Sequence, residues 1–186
     1  SIFKDEWAVV WPVRSGGMGA IELPKTGQTT CYDTDGNSIS CTGTGQDGEL
    51  QHGAAWPDPR FHDNGDGTVT DKLTGLIWTR DGNAPGPAVC SPGVTKSWQG
   101  ALDYVKCLNI NGYRGYNDWR LPNRKELFSL SHSGQVNNTA DWLNSEGFSN
   151  VQRNYYVSST TYPAQLNCVF VINVFGDISV DGKNRT

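Results

Sequence analysis

Apolar residues fall along this chain in short clusters, and the spacing within each cluster changes with position. The segment Trp7-Ala-Val-Val-Trp-Pro-Val13 is almost wholly apolar and predicts a strand. Its period of two puts Trp7, Val9, Trp11 and Val13 on one face and Val10 towards the other. Pro12 has no amide donor, which suits a strand end or edge. Residues 23–55 are polar and rich in Gly and Thr, with too few apolar positions for a core of their own. Alternation returns at residues 68–70 and 76–78, which flank a hairpin signal over residues 71–75. The period then becomes helical. Trp98, Ala101, Leu102, Val105 and Leu108 recur on one face and predict a helix over 95–108. Asn123 and Glu126 form a capping-box signal for a helix over 123–130. A short helix over 140–145 stops at Gly147. Strands over 155–159, 168–175 and 178–180 follow. Two main helices embedded among short strands and long loops predict an α+β domain with a mainly antiparallel sheet.

The final strand leads into the turn residues 181–184, and the apolar segment 7–13 has no turn before it. Joined tail to head, the two would make one hairpin. A bare apolar strand invites partners in water. Residues 1–14 are therefore expected either to close their own domain in cis or to close a neighbouring copy in trans. The expected organisation is a strand over 1–14, a Gly/Thr-rich link with a disulfide hairpin over 15–55, and a folded body over 56–186.

Composition narrows the class. A chain of 186 residues buries roughly 70% of its unfolded surface and can form a real core. A net charge of −4 has no basic footprint, so nucleic acid is not expected as a partner. No run of 18 apolar residues is present, so no membrane-spanning helix is expected. Of five cysteines, Cys31 and Cys41 flank an Asp-Gly hairpin signal that would set them opposite each other, and Cys90 and Cys107 bracket a loop and most of a helix. These are the expected disulfides, and Cys168 is left as a buried free thiol. Two disulfides favour an oxidising, extracytoplasmic location.

Four segments occur in order: Phe61-His-Asp-Asn-Gly-Asp-Gly-Thr-Val-Thr-Asp-Lys-Leu-Thr-Gly-Leu-Ile-Trp78, Trp98-Gln-Gly-Ala-Leu-Asp-Tyr104, Asp118-Trp-Arg-Leu-Pro-Asn-Arg-Lys-Glu-Leu127 and Tyr155-Tyr-Val-Ser-Ser-Thr160. Together they resemble the bacterial domain family of the C-terminal domain of the Legionella collagen-like adhesin, over about residues 23–186. The resemblance implies a C-type lectin-like fold and an extracellular or cell-surface location. Members of this kind typically close with a Y-V-W-P-V-R-G strand. Here Val9-Val-Trp-Pro-Val-Arg14 stands at the front instead. Where relatives usually carry Trp in Y-Y-W-S-S, this chain has Val157.

Candidate sites are few. Asp63, Asn64, Asp66 and Asp71 supply the oxygens Ca²⁺ prefers, although an Asn-Gly-Asp-Gly stretch is also a common hairpin turn. Trp119, Arg120 and Arg124 offer a cationic and aromatic contact for acidic glycans. The competing reading has Trp119 as a core anchor, Arg120 paired with a carboxylate and Glu126 capping a helix. No Gly-x-Ser-x-Gly, P-loop or HExxH motif is present, so no enzyme and no cofactor other than calcium is expected. The expected function is a structural subunit or repeat of an extracellular bacterial filament or surface array. Residues 1–14 would be donated head-to-tail to the next copy. The alternative is a monomeric adhesin-type binding module for glycans or a protein partner, with the strand closing in cis.

Overall fold

A computed structural model of the chain describes residues 23–135, 139–173 and 178–183. The strand expected at Trp7, Val9, Val10, Trp11 and Val13 lies outside the described residues. The chain divides into two compact units, one ending at Trp56 and one beginning at Pro57.

The first unit is built on turns. Strands β1 (Cys31–Tyr32) and β2 (Ser38–Ile39) pair antiparallel, with Cys31 opposite Ile39. Asp33 organises the intervening turn: its carboxylate accepts hydrogen bonds from the amides of Asp35 and Asn37 and from the Asn37 side chain. These bonds, the Asn37 side chain first, hold its carboxyl below the usual carboxylate range. A single helical turn, α1 (Asp47–Leu50), packs its Gly48 against Thr30. A Cβ there would meet the Thr30 carbonyl oxygen at 2.6 Å, so only glycine fits. The Cys31–Cys41 disulfide forms, with Cα atoms 5.2 Å apart. The ladder itself does not place the two cysteines opposite each other, however. Pairing stops at Ile39, and Cys41 reaches Cys31 two residues later, where its carbonyl accepts from the Thr44 amide in a further turn.

The second unit has mixed helices and antiparallel sheets, an α+β architecture. The strands form two separate sheets. The first has the order β3 (Phe61–Asp63), β4 (Thr68–Asp71), β5 (Ile77–Thr79), and the second the order β6 (Tyr155–Thr161), β7 (Cys168–Asn173), β8 (Ile178–Gly182). Between them in sequence lie α2 (Trp98–Ile110), α3 (Arg124–Ser129) and α4 (Thr139–Ser145). Helix α2 begins three residues later than periodicity predicts, because the Ser97 side chain accepts from the Gly100 amide and fixes the N-cap there. Helix α3 carries the full capping box: the Asn123 side chain accepts from the Lys125 and Glu126 amides, and Glu126 accepts from the Asn123 amide. The Cys90–Cys107 disulfide ties the loop before α2 to its last turn.

One apolar cluster holds Phe61, Val69, Leu143 and Phe148, with Trp78 and Trp142 packed against it. Phe61 and Phe148 meet edge to face, their centroids 5.0 Å apart. Beside this cluster lies a buried ion pair. Arg60 donates to both Asp71 carboxylate oxygens, at 2.9 and 2.8 Å, and to the Ser129 carbonyl at 2.7 Å. Both side chains are almost wholly buried. Cys168, the first residue of β7, is free but half-buried rather than buried.

Candidate functional site

The Asp-rich hairpin folds as a self-satisfied turn. Asp63 accepts from the Gly65 amide and lies 3.3 Å from an Arg80 guanidinium nitrogen. Asn64 donates to the Thr68 hydroxyl and accepts from that of Thr70. Asp66 accepts from the Thr68 hydroxyl and amide and from the Tyr116 hydroxyl. These bonds, the Thr68 hydroxyl first, hold the Asp66 carboxyl low. Asp71 does not join them. The register sets it opposite Phe61, at the far end of β4 from the turn, and its carboxylate is taken by Arg60, the Leu73 amide and the Thr74 hydroxyl. The four-residue ligand set suggested by the sequence is therefore not assembled. No group of three or more His, Cys, Asp or Glu side chains fit to hold a metal ion occurs among the described residues.

Trp119 is half-buried. Its Nε1 donates to the Tyr113 carbonyl at 2.9 Å, and its ring meets that of Tyr116 edge-on at 5.7 Å. Arg120 is exposed but spans both Glu126 carboxylate oxygens, at 2.8 and 2.7 Å. That contact, more than any other, draws the Glu126 carboxyl below its ordinary value. The Arg124 guanidinium lies 4.6 Å from the Phe170 ring centroid. Trp119, Arg120 and Arg124 are thus each held by neighbours within the second unit.

Two further features of this unit bear on its function, and the first went unnoticed in the sequence. The first is a cleft of about 640 Å³ between α2, α3, β5 and β6. Its walls include Trp78, Tyr104, Tyr116, Trp119, Tyr155 and Val157. Tyr104 donates its hydroxyl to the Pro85 carbonyl, and burial pushes that phenol up. The Tyr156 hydroxyl bridges the Gln152 amide and the Gly82 carbonyl, and is likewise raised by burial. The rim exposes Ile77, Val94 and Tyr155 to solvent. Two residues that line the cleft each hold a polar atom shut away from solvent, Trp78 Nε1 and Ser131 Oγ, with no hydrogen-bond partner among the described residues. Leaving such a group unmet typically costs about 1–3 kcal/mol.

The second feature is β8. Among the described residues it pairs with β7 alone, and its residues alternate in exposure, with Ile178 and Val180 on the more exposed face. An end strand carries backbone groups ready to pair with a further strand. The sequence anticipates this strand over 178–180 as the one that segment 7–13 would extend. No helix among the described residues is long and apolar enough to cross a membrane.

The second unit is thus an α+β unit stapled by a disulfide, with an aromatic cleft and a sheet whose strand β8 pairs with β7 alone among the described residues. Residues 67–186 match the Lcl C-terminal domain, and the chain belongs to that family. Such a domain is a surface-associated, adhesin-related module. No curated protein matches the chain, and no solved structure does.

Proposed function

We propose that this protein is a structural subunit or repeat of an extracellular bacterial filament or surface array, built head-to-tail by donation of residues 1–14 to the neighbouring copy. The observation that carries this reading is β8, which among the described residues pairs with β7 alone and leaves Ile178 and Val180 exposed, in a chain that also holds the apolar, strand-patterned segment 7–13. In this mode ladder hydrogen bonds supply attachment, and alternating side chains fix the register. Each copy both gives and accepts a strand, so the contact propagates without closing. No catalytic step, metal or cofactor is required.

Deletion of residues 1–14 tests the proposal. The shortened chain should remain a monomer by light scattering under conditions where the full chain assembles. Assembly unchanged by the deletion would refute strand donation.

A second reading is a monomeric adhesin-type module for glycans or a protein partner, with the arm closing in cis. The aromatic cleft, with Tyr155 at its rim, favours it. A glycan array separates the two: saturable binding by a monomeric chain supports the second reading, and a blank array from an assembling chain supports the first.

A further inference from the structure

The cleft is bordered by two strands, β5 and β6, and the phase of their ladders fixes which main-chain groups each turns outward. Just outside β5, the Asp71 amide donates to the Leu76 carbonyl, and the Arg80 amide donates to the Gly67 carbonyl. Leu76 and Arg80 therefore bond towards β4, and Trp78, opposite Val69 and midway between them, does the same. The amides and carbonyls of Ile77 and Thr79 point the other way, off the edge. In the second sheet, the Lys183 amide donates to the Asn167 carbonyl. Stepping by two, Val169 and Val171 bond to β8, which leaves Phe170 and Ile172 for β6. Ile172 lies opposite Tyr156, so Tyr155 and Val157 turn their main-chain groups off the outer edge of β6.

All four of these edge residues line the cleft. Ile77 and Tyr155 are exposed, and Thr79 and Val157 are half-buried. The Asn154 side chain accepts from the Tyr155 amide, and further along β6 the Ser159 amide donates to the Pro122 carbonyl. Among the described residues, no turn, loop or side-chain contact takes the outward amides of Ile77, Thr79 or Val157.

These edges select the chemistry of a guest. They offer donors and acceptors at strand spacing, beside walls made apolar by Leu76, Tyr104 and Trp119. A helix has already spent its amides on itself, and a sugar carries no repeat of this kind. An extended peptide supplies both halves: a main chain that pairs with a strand edge, and side chains that enter the cleft at alternate positions. The volume of about 640 Å³ lies in the range of sites that enclose such groups.

We propose that the cleft binds an extended, apolar-patterned segment of a partner protein, held by main-chain pairing to the outer edges of β5 and β6. The proposal rests on the second reading above, a module for a protein partner, and uses neither β8 nor residues 1–14.

The test is a phage-displayed library of random short peptides selected on the immobilised 186-residue chain. Enriched peptides are resynthesised, and their binding is mapped by hydrogen–deuterium exchange with mass spectrometry. They should alternate apolar residues, bind saturably, and slow exchange across 77–79, across 155–157 or across both, with 178–182 unchanged. N-methylation of alternate peptide amides, made in each of the two phases, leaves the protein untouched. It should weaken binding by about tenfold or more in at least one phase. Protection confined to 178–182, or binding that tolerates both methylated phases, overturns the proposal. A selection that yields no binder overturns it as well. Saturable binding on the glycan array in that case keeps the second reading, with a sugar as the ligand.

Discussion

Replacing Asp71 by Ala perturbs the most enclosed polar contact of the second unit. Asp71 is fully buried and Arg60 nearly so, and the guanidinium donates twice to the carboxylate. Removing the carboxylate leaves a buried cation whose remaining acceptor from the same group of bonds is the Ser129 carbonyl. It also strips the Leu73 amide and Thr74 hydroxyl of their acceptor. Breaking a buried pair from one side typically costs about 3–5 kcal/mol, because a charge is stranded out of water. The unit from Pro57 to Thr186 unfolds with an entropy of about 0.27 kcal/mol/K at typical per-residue values. The expected fall in Tm is therefore about 11–18 °C, read by differential scanning calorimetry. The double variant R60M/D71L should recover most of the loss, since an apolar pair of similar volume carries no stranded charge. A D71A fall of less than about 4 °C, near 1 kcal/mol, would refute the description of this pair as buried and mutually dependent.

Two further perturbations follow from the same unit. Removing the Cys90–Cys107 disulfide by C90A/C107A, which opens a loop with a sequence separation of 17, should lower stability by about 3 kcal/mol in chemical denaturation. Glu126 gives a pH signature. Its carboxyl is held low in the folded state, chiefly by Arg120, so its contribution is present above the unfolded value of about 4.3 and is lost as pH falls through the folded value. The E126Q variant should flatten the acid limb of a urea-midpoint profile. It should cost only about 0.5–1 kcal/mol at pH 7, because Arg120 is largely exposed. An acid limb identical to wild type would show that this contact does not shape the pH dependence.

What could be read from the sequence depended on how far apart the interacting residues lie. Helix α3 and its cap are legible because Asn123 and Glu126 sit three residues apart and satisfy each other's backbone. The β3–β4 turn is legible because Asn64, Asp66 and Thr68 bond within a few residues of one another. The placement of Asp71 is not, because composition alone groups it with Asp63 and Asp66 while strand register sends it to the other end of β4. The cysteine pair at Cys31 and Cys41 follows from spacing, yet the ladder ends at Ile39 and the last step is made by a turn. The cleft is the extreme case. Trp78, Tyr104, Ser131 and Val157 belong to four different segments, and no local period announces that they share a wall. The partial exposure of Cys168 at the first position of β7 is not legible either, because an apolar run does not show where its cover ends.

The central claim is that copies of this chain assemble by strand donation, and the most direct measurement is the mass of the purified 186-residue chain, by light scattering in native buffer and by gel after boiling in denaturant. The account predicts a large native assembly that falls to a single species of 20.3 kDa on denaturation. A 20.3 kDa species under both conditions, at every concentration tried, would contradict it.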